Sequence, residues 1–516
     1  MPISNSASLF SLVKSLTKAD KRNFKLYAKR IQSDDDMMFL KLFDVLDRMK
    51  EMDEDEIVTR LRLTDKGQLS NLKRHLYKQV LTSLRMISTS RIKSIEIREH
   101  IDYAHVLYAK GLYRQSLKIL QRAKKLASKE ELDLLQLEII EFQKRIESRH
   151  ITNTGPIKNE ALTKEAEEVA KVVQQSVNMS NLSVLLHGFY IKNSHVKSEK
   201  EKLEFKTSFE SRLSNVNLSN MGYGERIYFF QCRVWYHYVL LDFDACYEYA
   251  LKWIGVFEDS PELKMLDTDL YMRGYHYLLT AAFNAQKRDL LVQHLNELQA
   301  FRKTNYAKFN ETSKIFSFIY VHWARLNIHF LDGSYIEGVD IIPRTLRRIK
   351  RYKNRMATHR VMVFYYKIAW MHLGAGDPGK TVSYVSMIIN DDKEDFREDI
   401  QSYSRLLYLM AHYDLDNLEL LPYLVRMVDA FFKKIKTSNR LQERSIRFFK
   451  KVHTVPITER HEVIVEFAQD LKEIRKDPFE KRAYLYLDIY NWAQAKISKL
   501  SQLPGMISRD AVSHES

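Results

Sequence analysis

The shortage of glycine and proline is the feature that most limits how this chain can fold. Its 516 residues include only 14 Gly and 9 Pro, whereas average usage of roughly 7% and 5% would give about 36 and 26. Strands joined by tight turns need both residues at their corners, while the interiors of helices exclude both. The composition therefore predicts an all-helical chain.

Length and charge leave several kinds of function open. The chain is several times as long as a usual domain, so it can form two or three compact domains or one extended repeat array. Its net charge of +16 permits binding to phosphate backbones or to acidic proteins, but a net charge does not indicate a fold.

Cysteine content and hydropathy predict where the protein resides. Cys232 and Cys246 are too few for a disulfide framework or a cysteine metal centre, and we expect a reducing compartment. No apolar stretch of about 18 residues predicts a membrane helix, and the start lacks the pattern of a secretory signal. We expect a cytoplasmic protein with no membrane partner.

The first 97 residues are expected to form a helical head. Amphipathic spacing predicts helices over 9–31 and 38–52, and the acidic residues 53–56 suit the positive end of a third helix. A short helix, a break at 63–67 and a longer helix then give residues 55–87 a spacing similar to a helix-turn-helix.

That helix-turn-helix-like segment is one route to a nucleic-acid-binding regulator. Its cations would face phosphates while Gln68, Ser70 and Asn71 meet base edges. Plain helical packing explains the same spacing, and Arg62 stands about where such motifs often keep Gly. The cations are Arg60, Arg62, Lys66, Lys73, Arg74, Lys78 and Arg85.

Further along, the pattern becomes a succession of helix pairs. One pair has small residues at Ala104, Ser116 and Ala123, with Gly111 and Tyr113 at the turn between its helices. In the tetratricopeptide repeat, small residues stand where two antiparallel helices touch, and Gly and Tyr shape the turn. The spacing here resembles that repeat.

Partial copies of the pattern occur at later turns. The Gly333 turn has Tyr335 and Gly338 in frame, and the Gly376 turn has Ala369 and Thr381. Weaker copies lie at Phe243 and Cys246, at 286–289 and at 414–417.

The chain is thus similar to bacterial proteins of the tetratricopeptide-repeat-like α-solenoid class. This resemblance implies a right-handed superhelical array of antiparallel helix pairs over residues 98–500. Residues 501–516 lack periodicity, and we expect them to form a disordered tail.

The resemblance also implies a binding groove. Repeat solenoids bind ligands on the concave side, which the first helix of each pair lines, so it implies a non-catalytic scaffold or adaptor with a protein or peptide partner. Packing between neighbouring repeats is the alternative role for the same side chains. The repeat frame places on that side Tyr320, Trp323 and Asn327 from one hairpin, and Tyr366, Lys367 and Trp370 from the next.

A basic run is a second candidate surface. No Asp or Glu occurs between Asp340 and Asp377. The run can bind nucleic acid or an acidic partner, with Tyr352 stacked on a base, or it can be a solvated helix end whose cations suit the helix dipole. Its members are Arg344, Arg347, Arg348, Lys350, Arg351 and Arg355.

Residues 374–381, GAGDPGKT, match the phosphate-loop pattern Gly-x4-Gly-Lys-Thr. A phosphate loop needs a buried strand before it, whereas helical spacing continues here through Ala369. In the repeat frame, Asp377 caps a helix, Pro378 occupies its first turn, and Thr381 is the small contact. We expect a turn between helices, and a nucleotidase is the third possibility for function.

No catalytic residue, cofactor or metal site is predicted. The histidines are scattered, and no Cys, Asp or Glu joins them at metal-ligand spacing. No arrangement of nucleophile, histidine and acid stands out either, so we do not expect an enzyme.

Overall fold

The chain is helical throughout the part that the computed structural model describes, and that part contains no strand. The prediction of an all-helical chain is therefore confirmed. The predicted disordered tail falls outside the described part, apart from Ser501. The described residues are 5–31, 38–64, 66–89, 92–150, 156–193, 195–214, 218, 221–352, 355–390, 397–435, 439–484 and 486–501.

Two compact units divide the chain, unit 1 from Met1 to Gln174 and unit 2 from Gln175 to Ser516. Helix α9 (Pro156–Asn193) crosses the boundary. The other helices of unit 1 are α1 (Asn5–Ser15), α2 (Lys18–Ile31), α3 (Met38–Arg48), α4 (Glu54–Leu61), α5 (Lys66–Ser88), α6 (Lys93–Ala109), α7 (Tyr113–Lys129) and α8 (Asp133–Arg149).

Unit 2 contains the C-terminal part of α9 and all helices from α10 onward. Its helices are α10 (Glu199–Ser214), α11 (Tyr223–Val239), α12 (Phe243–Asp259), α13 (Leu263–Leu266), α14 (Thr268–Asn284), α15 (Arg288–Asn305), α16 (Glu311–Asp332), α17 (Tyr335–Asp340), α18 (Ile342–Tyr352), α19 (Thr358–Gly374), α20 (Pro378–Ile389), α21 (Glu398–Asp414), α22 (Leu421–Lys434), α23 (Arg440–Val452), α24 (Arg460–Lys476), α25 (Lys481–Tyr484) and α26 (Ile489–Ser501). A 3-10 turn, Tyr306–Lys308, follows α15.

Unit 1 contains separate hydrophobic clusters. Helices α1 to α5 enclose one cluster, with Phe43 and Leu76 fully buried in it. Helices α6 to α8 enclose another, which includes Leu120 and Ile139. The last buried residue of the first cluster precedes the predicted head boundary at residue 97, and that boundary stays a prediction.

The turns between consecutive helices share one backbone geometry. In eight turns of the described chain, one residue adopts left-handed φ, and the next N–H donates to the carbonyl five residues earlier at 2.8–3.1 Å. This bond closes a helix C-terminus in the Schellman form. The left-handed residues are Arg62, Gly111, Glu131, Leu241, Gln286, Gly333, Gly376 and Asp416.

Several hairpins of consecutive helices also share a side-chain contact. A side chain on the second helix donates to the carbonyl twelve residues earlier on the first, namely Ser116 to Ala104 (2.8 Å), Cys246 to Val234 (3.3 Å) and Thr381 to Ala369 (3.1 Å). Gly338 occupies the corresponding position after Leu326, and a Cβ atom there would lie 2.3 Å from Met371 Sδ. The small residues of the repeat frame therefore lie where helices approach closely.

Gln286→Gly is expected to stabilise unit 2. Gln286 has φ 58°, a conformation that disfavours residues with a Cβ atom, and glycine's greater unfolded-state entropy offsets part of the gain. We expect the free energy of unfolding to rise by about 0.5–1 kcal/mol, measured by denaturant titration. Gln286→Ala is the control, and an equal gain with alanine would contradict the conformational explanation.

Candidate functional site

The side chains predicted to line a groove lie on α16 and α19, mostly within the core. Trp323 and Lys367 are partly exposed. The buried members are Tyr320, Asn327, Tyr366 and Trp370. Their packing in the core is observed, whereas a role of any of the six in partner binding stays a prediction.

Lys367 is the charged member of this set. Its Nζ donates to Asn327 Oδ1 at 2.7 Å and lies 5.3 Å from the ring centre of Phe330. Although the side chain is partly accessible, surrounding protein desolvates the ammonium, and this burial, assisted by the charge of Arg397, lowers the pKa of Lys367 to about 7. Among the described residues, no carboxylate forms an ion pair with Lys367.

Two further cations lie near Lys367, and the repeat frame assigned neither of them to the groove. They are Arg273 on α14 and Arg360 on α19, and both are half-buried. The positive charges of Arg273, Arg360 and Lys367 all act on the imidazole of His276. Burial and those charges, with Arg360 the strongest, lower the pKa of His276 to about 3, so His276 is neutral at pH 7.

Aromatic rings surround these cations. His276 stacks on Tyr320 with ring centres 4.4 Å apart, and its ring centre lies 5.6 Å from that of Trp323. The guanidinium of Arg360 lies 4.4 Å from the ring centre of Phe316. We call the partly exposed residues Arg273, His276, Trp323, Arg360 and Lys367 the cation–aromatic face.

This face also contains N–H donors without an acceptor. Arg360 Nη1 and Trp323 Nε1 are buried and have no hydrogen-bond partner among the described residues. A buried donor that lacks an acceptor costs stability. Both atoms are closed off from solvent, so a partner would contact the exposed parts of these side chains.

No protein-family model, no curated protein and no solved structure matches this chain. The tetratricopeptide resemblance therefore depends on the spacing of small and turn residues alone. The chemistry of the site has to be inferred from its own side chains.

One end of the predicted groove is filled by the chain itself. The Tyr366 hydroxyl donates to the carbonyl oxygen of Tyr486 at 2.6 Å, and the Tyr486 ring stacks on Tyr403 with centres 4.7 Å apart. The hydroxyls of Tyr190 and Tyr486 lie 3.4 Å apart. Tyr366 thus makes an internal contact, which leaves the cation–aromatic face as the accessible part.

The basic run differs from the expectation in one respect. Five of its six members are exposed, and Arg348 is half-buried. Arg355 pairs with Glu311 at 2.9 Å. Tyr352 is 2% exposed, so the expectation that its ring stacks on a base is wrong, because the ring packs in the core instead.

The helix-turn-helix-like segment consists of α4, a turn at Arg62 and α5. Arg62 takes left-handed φ of 53°, at the position where glycine is common in such turns. Lys73 is 8% exposed and pairs with Glu54 at 2.8 Å, which directs this cation into the unit and away from a phosphate. The side chain of Lys66 lies outside the described part.

The phosphate-loop pattern forms the turn between α19 and α20. Asp377 caps α20 by accepting from the backbone N–H of Lys380 at 3.1 Å. Thr381 is buried and donates to the carbonyl of Ala369, so its hydroxyl contacts protein. The prediction of a turn between helices is confirmed. The element before this turn is the helix α19, whereas a phosphate loop follows a strand.

Groups that metal binding or nucleophilic chemistry would use are sparse in the described part. It holds no set of three or more His, Cys, Asp and Glu placed around a common metal position. None of its helices is both long and apolar enough to cross a bilayer. Burial raises the pKa of the Cys232 thiol to about 12, which keeps this group protonated and unreactive at neutral pH.

Proposed function

We propose that this protein is a non-catalytic scaffold or adaptor that binds an acidic segment of a protein or peptide on the cation–aromatic face. We further propose that unit 2 is a right-handed superhelix of antiparallel helix pairs with this face on its concave side. The shared turn geometry and the recurring side-chain bond across hairpins support the repeat architecture.

The observation that carries the proposal is the placement of Arg273, Arg360 and Lys367 around packed aromatic rings. Arg273 lies one turn before His276 on α14, and Arg360 and Lys367 lie 4.4 and 5.3 Å from the ring centres of Phe316 and Phe330. None of the three forms an ion pair with a described carboxylate, whereas Arg288 and Arg355 pair with Asp332 and Glu311. Partly desolvated cations bind carboxylates more strongly than solvated ones do. An acidic segment would supply ion-pair partners for Arg360 and Lys367, and for Arg273 in addition to the nearby charge of Asp267.

The aromatic part of the face suits a peptide backbone. Arg273 and Arg360 carry guanidinium donors on partly exposed side chains, and peptide carbonyls can accept from such groups. The rings of Trp323 and His276 offer apolar surface beside those donors. Aromatic and arginine side chains are also the residues that contribute most often to binding energy at interfaces.

A displayed peptide library tests the proposal. We expect the full chain to enrich acidic sequences, and Arg360→Gln combined with Lys367→Met to weaken the best peptide at least tenfold in fluorescence anisotropy, a loss of about 1.4 kcal/mol. Methionine keeps the length of Lys367, and glutamine keeps polar atoms at position 360, so the fold should persist; circular dichroism checks this.

The matched control is Arg347→Gln combined with Lys350→Met. This pair removes the same two charges from exposed positions on α18 and should weaken the peptide less than twofold. The proposal fails if no acidic sequence is enriched, or if both double variants weaken the peptide equally, because the effect would then arise from net charge alone.

A further inference from the structure

A group of arginines lies on the opposite side of α16 from the cation–aromatic face. His322 comes two residues after Tyr320, and Arg325 comes two residues after Trp323. Two residues correspond to a rotation of about 200° around an α-helix, so both side chains lie on the side of α16 away from those groove positions. Arg302 on α15 and Arg344 and Arg348 on α18 extend toward the same region. We call Arg302, Arg325, Arg344 and Arg348 the arginine cluster.

The position of His322 shows that the four guanidinium groups converge. His322 is buried, and its Nδ1 lies 2.8 Å from Thr345 Oγ1. Burial and the charges of all four cluster arginines lower the pKa of His322 to about 3. Hydrogen bonds between the helices place the arginines around this imidazole. Arg344 and Arg348 flank Thr345 on α18, and Arg302 lies one turn after Gln299, the partner of Arg325, on α15.

Neutral groups hold the half-buried members in place. Arg325 Nη2 donates to Gln299 Oε1 at 2.6 Å, and the Arg302 guanidinium lies 5.3 Å from the ring centre of Tyr306. The hydroxyls of Tyr306 and Tyr352 lie 3.4 Å apart. Against the effect of burial, this contact and then the charge of Arg348 lower the pKa of the Tyr306 phenol. These contacts orient the guanidinium groups and neutralise none of them.

The cluster contains positive charge without a local counter-charge. Burial first, and then Arg348, lowers the pKa of Arg302, and burial followed by Arg344 lowers that of Arg325. No described carboxylate forms an ion pair with any of the four, whereas Arg355, close by in sequence, pairs with Glu311. Guanidinium groups do not lose their protons in proteins, so this repulsion persists until an anion binds.

The arrangement favours phosphate as that anion. Guanidinium forks bind phosphate oxygens bidentately, and two linked phosphates carry enough charge for several arginines. A nucleic-acid strand would instead need a stripe of cations with exposed aromatic platforms. The cluster is compact, and Tyr352 beside it is buried, so a small ligand fits it better than a strand.

We propose that the arginine cluster is a binding site for a small molecule that carries two linked phosphates. Pyrophosphate, free or esterified to a nucleoside, represents this ligand class. The site lies on other faces of unit 2 than the cation–aromatic face, so each proposal can fail without the other.

Calorimetry of the full chain with inorganic pyrophosphate tests the site. We expect binding by the wild type and at least tenfold weaker binding by Arg344→Gln combined with Arg348→Gln. The matched control, Arg351→Gln combined with Arg355→Gln, removes the same net charge from exposed positions next to Glu311. Its affinity for pyrophosphate should stay within twofold of the wild type.

Further ligands separate the alternatives. Tight binding of ADP, lost in the cluster variant, supports the site with an esterified ligand, and binding of pyrophosphate alone supports a free one. The proposal is overturned if the wild type binds neither, if citrate binds as tightly as pyrophosphate, or if both double variants weaken binding equally. A broad nucleic-acid surface would also overturn the proposal. It would be indicated if a single-stranded oligonucleotide bound more tightly than pyrophosphate and ADP, and if the cluster variant and the control variant both weakened the binding of that oligonucleotide.

Pyrophosphate should also stabilise the fold. A ligand that binds only the folded state raises the unfolding temperature, so the wild type and the control variant should show this rise and the cluster variant should not. Without ligand, the cluster variant should unfold at the same temperature as the wild type or above it, because the substitutions relieve repulsion. A lower temperature would identify a structural role for Arg344 and Arg348 and contradict the proposal.

Discussion

Lys367→Met is expected to raise the free energy of unfolding by about 2 kcal/mol at neutral pH. Desolvation lowers the pKa of Lys367 from 10.5 to about 7, and each pKa unit corresponds to about 1.4 kcal/mol of penalty on the charged form. Partial exposure of the side chain and loss of its bond to Asn327 reduce the gain well below the full value. Methionine fills the same space without the charge.

The gain from Lys367→Met should depend on pH. The unfolded chain holds the Lys367 proton up to about pH 10.5, whereas the folded chain releases it near pH 7. Between these values the unfolded state binds more protons, so this group makes wild-type stability rise with pH. The methionine variant lacks that contribution, and its advantage should shrink from about pH 7 to about pH 10.

Denaturant unfolding of both proteins across this pH range measures the effect. Lys350→Met is the control, since Lys350 is exposed and should give a small, pH-independent change. A constant advantage for Lys367→Met would mean that the ammonium is solvated. Higher stability together with weaker peptide binding would show that the lysine is retained for binding at the expense of stability.

The helical class followed from composition, but individual hairpins gave a strong signal only where glycine marks the turn. Gly111, Gly333 and Gly376 all adopt positive φ, and the sequence predicts each of these turns. Leu241 and Gln286 adopt the same conformation without being glycine, so their turns gave weak signals. Tertiary packing holds these residues in a conformation that their type disfavours.

The sequence likewise predicted only those residues of the candidate site that lie in the repeat frame. The repeat frame selects Trp323 and Lys367 because strong copies of the repeat flank them. The repeat frame assigned neither Arg273 nor Arg360 to the groove, since their place beside it depends on how α14 and α19 pack against α16. Local spacing also contains no information about Tyr486, whose carbonyl accepts from Tyr366, 120 residues earlier.

A pair of charges beside Tyr486 gives the largest expected loss of stability. Arg397 binds Asp399 through two parallel bonds, Nε to Oδ1 at 2.8 Å and Nη2 to Oδ2 at 2.7 Å. Both side chains are largely buried, with 25% and 18% exposed. Despite burial, the charge and hydrogen bonds of the Arg397 guanidinium hold the pKa of Asp399 below its usual value.

Asp399→Asn should lower the free energy of unfolding by about 3 kcal/mol, because it leaves the guanidinium of Arg397 largely buried without a counter-charge. Since the pKa of Asp399 is lower in the folded than in the unfolded state, its contribution is complete above the unfolded value near 3.8 and is lost as pH falls through the folded value. The variant and the wild type should therefore become more alike in acid, as measured by denaturant titration at several pH values.

Asp332→Asn is the matched control, because Arg288 donates to Asp332 from the same two kinds of nitrogen, Nε and Nη2, at 2.6 and 3.0 Å. The Arg288 side chain is 50% exposed, so water can solvate the charge that the substitution leaves, and the loss should be about 0.5 kcal/mol. Equal losses of unfolding free energy from the two substitutions would show that burial does not strengthen the Arg397–Asp399 pair. A much larger loss at Asp399 would show that burial strengthens the Arg397–Asp399 pair.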